Sequence, residues 1–214
     1  MQYETIPVTP FMQNCRIVYC AETREATVVD PGGDVERILA VIQALDVDPT
    51  QIWVTHAHID HVGGVAALQR ALNIPVMGSH HADQPLIDVL PLAAAMFGLS
   101  APEPYVPTQW LDDGDVLTLG RMRFDVMHCP GHAPGHVIFV NQAARCLLAG
   151  DVLFRGSIGR TDLPGGNHEQ LLTSIGRLWP LGDDMQVLSG HGQPTTLGYE
   201  RINNPFVGIH ARSF

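Results

Sequence analysis

Thr55-His56-Ala57-His58-Ile59-Asp60-His61 places three histidines and one aspartate directly after the apolar run Ile52-Trp53-Val54. Side chains alternate faces along an extended segment, so His56 and His58 point to one side and can grip one cation together. Asp60 and His61 follow where the chain turns toward the helical pattern of Val65 to Leu72, and they can face a second cation beside the first. Imidazole and carboxylate suit zinc, iron or manganese. A strand end feeding a helix start mounts them rigidly. A lone histidine in a polar loop is ordinarily just solvated; four such groups between apolar segments read as a metal cluster.

Outward from this cluster, Asn14 to Tyr19 and Ala26 to Val29 read as strands, the second closing at the turn Asp30-Pro31-Gly32-Gly33. Val35, Ile38, Leu39, Ile42 and Leu45 keep helical spacing, with Asp34 as N-cap. Pro75 to Met77 reads as a strand and His81 to Phe97 as a helix running through Pro85 and Pro91. Pro102 to Pro107 reads as a weakly ordered surface connection. Strands are expected at Asp115 to Leu119, Arg123 to Met127, Val137 to Val140 and Cys146 to Leu148. A glycine-rich loop then spans Arg155 to Gly166, a helix His168 to Leu178, and a last strand Gln186 to Leu188 that ends at Gly190-His191. Each half of the chain sends a strand into a histidine loop, His56 to His61 and then His132 to His136. This order suggests two sheets packed between helices, in one domain over residues 1–214.

Twelve basic against 22 acidic residues give a formal charge of −10. That balance argues against a nucleic-acid backbone or an anionic membrane as partner, while a metal site can still reverse the local field for an anionic substrate. Met1-Gln2-Tyr3-Glu4 has no basic leader region, and no apolar run approaches about 18 residues, so a cytoplasmic protein is expected. Cys15, Cys20, Cys129 and Cys146 form no CxxC pair and read as free thiols, Cys129 and Cys146 in the core. Nothing fixes the oligomeric state, a monomer or small homo-oligomer being expected.

HxHxDH resembles the signature of the metallo-β-lactamase superfamily, and the rest of the chain resembles its pattern in order. Cys129-Pro130-Gly131-His132, Leu148-Ala149-Gly150-Asp151 and Leu188-Ser189-Gly190-His191-Gly192 stand where the family places a third histidine, a later aspartate and a last histidine. The resemblance implies an α/β fold, the four-layer αββα sandwich. It implies two divalent ions, zinc first with iron or manganese as alternatives. His56, His58 and His132 would hold one, and Asp60, His61 and His191 the other. Asp151 would bridge them. His136 falls outside that set and reads as a supporting residue; His80, His81, His128, His168 and His210 lack ligand spacing.

Within the superfamily, a bridging aspartate is similar to the glyoxalase II branch. Pro7 to Cys15, Phe154 to Gly166, and Gly192 to Arg201 with Asn203-Asn204-Pro205-Phe206 resemble the short bacterial hydroxyacylglutathione hydrolases. The implied reaction is cleavage of S-D-lactoylglutathione to D-lactate and glutathione by a hydroxide shared between the two ions, with Asp60 and Asp151 as catalytic residues. Longer relatives carry a C-terminal helical domain that helps hold glutathione, and the resemblance to the short enzymes implies an expectation of glutathione binding without one. Arg160 and Asp162 stand where those relatives carry lysine and tyrosine. Arg160 is thus either a substrate carboxylate's partner or half of an ion pair with Asp162. Two other activities fit the same residues. One is a mononuclear-iron glutathione persulfide dioxygenase on His56, His132 and Asp151. The other is a lactonase or other small-molecule hydrolase.

Overall fold

A computed structural model describes residues 1–211 of the chain. The first half forms a mixed sheet of β1 (Gln2–Val8), β2 (Gln13–Tyr19), β3 (Glu25–Val29), β4 (Asp48–Val54) and β5 (Val76–Gly78), in that spatial order. β1 to β3 pair antiparallel, whereas β3, β4 and β5 run parallel, joined through α1 (Val35–Leu45), α2 (Ile59–Val62) and α3 (Val65–Leu72). α4 (Gln84–Asp88) and α5 (Leu90–Met96) lead toward the second half. There, β6 (Val116–Leu119), β7 (Met122–His128), β8 (Val137–Asn141) and β9 (Cys146–Gly150) form an antiparallel run. A small hairpin of β10 (Leu153–Phe154) and β11 (Ser157–Ile158) precedes α6 (His168–Gly176). β12 (Gln186–Ser189) then joins β9 in parallel, β13 (Thr195–Thr196) borders β12, and α7 (Leu197–Asn203) follows.

Period-two alternation sorts the side chains into three apolar layers. In β4, Ile52 and Val54 face α1 and α3, while Trp53 faces the other sheet. In β9, Leu147 and Ala149 face α6, while Cys146 and Leu148 point inward. The inter-sheet layer is wedged by Trp53, whose ring meets Phe124 edge-on at 4.8 Å and Phe139 at 5.1 Å. The order is helices, sheet, sheet, helices: the expected αββα sandwich.

Several local expectations are corrected. β1 was not anticipated; it is an edge strand, where the missing N–H of Pro7 is tolerated. The helix expected over His81 to Phe97 is broken, since Pro85 and Pro91 are accepted only in the first turns of α4 and α5. Asp34 occupies the N-cap position of α1 but caps nothing; its carboxylate accepts the Thr9 N–H instead, at 2.9 Å. Between Pro102 and Pro107, Tyr105 is buried in the first apolar layer, so this connection is anchored. The glycine-rich loop contains β11, which pairs with β10 just before the loop, and α7 and β13 were not foreseen.

Candidate metal centre

The C-terminal ends of β4, β7, β9 and β12 meet at one rim of the sandwich, and each delivers part of the centre. β4 runs into Thr55 to His58, and α2 immediately carries Asp60 and His61. The loop from β7 to β8 brings His132, the residue after β9 is Asp151, and β12 leads to His191. Backbone bonds stitch the two sheets at this rim: Val137 N–H to the Thr55 carbonyl at 2.8 Å, and Asn14 N–H to the Gly190 carbonyl at 2.7 Å.

Three ligand-type groups result. Single atoms of His56, His58 and His132 lie within 4.8 Å of one another, as do those of Asp60, His61 and His191, and those of His56, His61 and Asp151. All seven residues singled out in the sequence therefore converge. The Asp151 carboxylate spans the first two groups, Oδ2 lying 3.5 Å from His132 Nε2 and 3.6 Å from His191 Nε2, and Oδ1 3.4 Å from His61 Nε2. Gly150, at φ 48°, lets the chain turn sharply into Asp151; a Cβ there would lie 2.6 Å from both His136 Nε2 and Thr55 Oγ1.

The donor atoms are prepared for a cation. His56 Nε2, His61 Nε2 and Asp151 Oδ1 are buried with no hydrogen-bond partner, an expensive state for polar atoms unless an ion takes them. Their opposite sides are fixed. His132 Nδ1 donates to the Arg160 carbonyl at 2.7 Å, and His61 Nδ1 donates to Asp30 Oδ2 at 2.9 Å, so each ring turns its Nε2 toward the centre. His56 Nδ1 lies 3.0 Å from Thr55 Oγ1, whose hydroxyl donates to Asp30 Oδ2 at 2.7 Å. One buried carboxylate thus orients one histidine of each triad. His58 instead approaches through Nδ1, 2.9 Å from His132 Nε2. These features fit a divalent cation.

Electrostatics divides the centre. Burial, reinforced by neighbouring imidazoles, pushes His56 well below the ordinary histidine range, and burial and His132 bring His58 down to about 3. Burial also lowers His132, partly offset by Asp151. His61 is buried too, but Asp151, Asp60 and Asp30 outweigh that burial and raise its pKa well above the ordinary range. His191 is raised against burial by its bond to Asp60 and the field of Asp151. The two ligand carboxylates are held below the usual carboxylate range by the histidines despite burial, His61 contributing most. The His61 side therefore attracts positive charge. The exposed edge is there as well, with Asp60 18% and His191 30% exposed.

His136 lies outside the three ligand groups, stacked on His56 at 4.6 Å, and its Nε2 accepts the Asp151 N–H at 2.9 Å. Burial keeps it neutral, as an acceptor must be. His80 and His128 stack on each other away from the centre. The Arg160 guanidinium forms two 2.7 Å bonds to Asp162 at the surface, and its carbonyl is the part of the residue that touches the centre. Two carboxylates escaped sequence reasoning. Asp30 carried a signal, the polar turn closing β3, but it was read only as a turn. Asp83, fully buried near α4, had none.

The family model for the metallo-beta-lactamase superfamily matches residues 8–191. Hydroxyacylglutathione hydrolase GloC of Haemophilus influenzae is 41% identical over 209 residues, covering 97% of this chain and 98% of that protein. Among solved structures, the BLEG-1 B3 metallo-beta-lactamase superposes with TM-score 0.89 at 37% identity, over 96% of this chain and 99% of that one. TTHA1623, solved in a di-iron-bound form, superposes with TM-score 0.87 at 41% identity, over 95% and 99%.

Proposed function

The chain belongs to the metallo-beta-lactamase superfamily, and from that premise we propose that it hydrolyses a glutathione thioester, S-D-lactoylglutathione, to D-lactate and glutathione. The observation that carries this reading is the full-length likeness to the Haemophilus hydrolase, in a chain whose seven ligand-type side chains meet at one rim. His56, His58 and His132 would hold one divalent ion, Asp60, His61 and His191 a second, and Asp151 would bridge them. Zinc suits these donors, and the di-iron form of TTHA1623 makes iron the alternative. When bound, such ions supply Lewis acidity and lower the pKa of water from 15.7 toward 7.

The protein's own groups complete the chemistry. Asp60, at the exposed edge and 3.1 Å from His191 Nε2, would orient the attacking water. Asp30, Thr55 and the Arg160 carbonyl hold the imidazoles still, so little reorganisation accompanies the reaction. The leaving group is a thiolate whose conjugate acid has a pKa of about 8.5, which removes the need for a strong general acid. That matches a rim furnished with ligands rather than spare acids. Arg160 would have to leave Asp162 to meet a substrate carboxylate, so its contribution to binding is modest.

The likeness to a B3 metallo-beta-lactamase favours a second reading, hydrolysis of a cyclic amide. Turnover of lactoylglutathione, a lactone and a cephalosporin by one metal-loaded preparation separates them. The proposal expects kcat/KM for lactoylglutathione to exceed the others by at least about 100-fold. A preference for the cephalosporin overturns it.

A further inference from the structure

Asp83 is fully buried, just ahead of α4, and far in sequence from every ligand. Its Oδ2 accepts the Ala57 N–H at 2.9 Å, the amide between His56 and His58, and the Ser79 hydroxyl at 3.0 Å. Its Oδ1 accepts the Gly135 N–H at 2.6 Å, in the loop that carries His132. One carboxylate therefore ties the histidine loop of the first sheet to that of the second. The residue at 135 has to be glycine for this contact, because a Cβ there would sit 2.6 Å from the Asp83 carboxyl carbon. Burying this carboxylate among backbone amides is unfavourable by itself, since burial disfavours the charged form. Its three donors are what make the position tolerable, and two of them belong to the metal-bearing loops.

We propose that Asp83 is the positioning residue that assembles the His56, His58 and His132 triad from its two halves, and that it does so independently of the Asp60, His61 and His191 triad. Among the described residues, Asp83 makes no hydrogen bond to the second triad; Asp60 and His61 lie on one helical turn, and His191 is held by the pairing of Gln13 with its backbone. The inference rests on the metal-centre reading above and extends it to the order in which the ions are secured.

The chemistry dictates the test. In Asp83→Asn a single carbonyl oxygen remains, so one loop amide keeps an acceptor while the other faces an NH2 group. Gly135→Ala breaks the same clamp from the opposite side. Wild type and both variants are loaded with zinc and dialysed against a graded chelator, and zinc per chain is measured together with the melting temperature of the metal-free form. The expected result is a wild type that retains two ions, and variants that retain one ion at chelator concentrations where the wild type keeps both. The affinity lost at the first site is about 10–100-fold. Two ions held with unchanged affinity in both variants overturn the inference, as does parallel loss of both ions from a folded variant. Amide exchange in metal-free wild type gives a reading that no variant's folding can obscure: Ala57 and Gly135 should be protected before any ion is added, and rapid exchange at both overturns the clamp. A wild type that binds no zinc at all would refute the metal centre itself, a different failure.

Discussion

The two ligand triads lie side by side and share Asp151, yet they are built on opposite principles. The His56, His58 and His132 triad is all imidazole, deeply buried, and keeps its lone pairs available because burial weakens proton binding. The Asp60, His61 and His191 triad includes a carboxylate and is partly open, and the same carboxylates that would attract a metal ion also attract protons to its histidines. One site is prepared by exclusion of water, the other by charge. The difference teaches that a symmetric-looking pair of positions can respond in opposite ways to the same perturbation.

The hardest blow to the comparison is removal of what the triads share. Asp151→Ala takes away the spanning carboxylate, and turnover of a metal-loaded preparation should fall by more than the 10–100-fold typical of supporting residues; near-normal rates at full metal content would sink the bridging role. Next is Asp30→Asn. Because Asp30 holds His61 directly and His56 through Thr55, zinc affinity should fall about 10–100-fold at both sites together, by chelator competition. A loss confined to the His61 site would show that the Thr55 relay is idle.

Acid should separate the triads without mutation. His61 and His191 bind protons more tightly than free imidazole, so as pH falls from 7 they are protonated first, whereas His56, His58 and His132 resist. Metal ligands must be deprotonated to bind. The ion at Asp60, His61 and His191 should leave first, seen as loss of one equivalent during stepwise dialysis toward pH 5, with histidine NMR identifying the rings released. Simultaneous loss would erase the distinction. The smallest effect is expected from Arg160→Ala. Its ion pair is exposed and screened by solvent, and its carbonyl, which orients His132, survives the change, so neither the melting temperature nor the zinc content should move measurably. A rise in KM for lactoylglutathione at constant kcat would mark a binding role.

How much of this was legible in the sequence follows from what makes a pattern. The strand-to-helix cluster at His56 to His61 and the later strand ends at His132, Asp151 and His191 carry chemically distinctive side chains at regular boundaries. The inter-sheet and outer layers follow from alternation in β4, β8 and β9. Asp30 and Asp83 were missed because their partners are three backbone N–H groups, two hydroxyls and one imidazole, mostly from distant segments, which leave no spacing to read. β1 is an edge strand with few buried positions to mark it, and the break between α4 and α5 depended on how two prolines sit in first turns.

The central claim is tested most directly by counting ions. Protein stripped with chelator, reloaded with zinc or iron and freed of excess metal should hold two equivalents per chain, and substitution of His132 together with His191 should reduce that number to at most one. A folded wild-type chain that retains no stoichiometric metal would contradict the account.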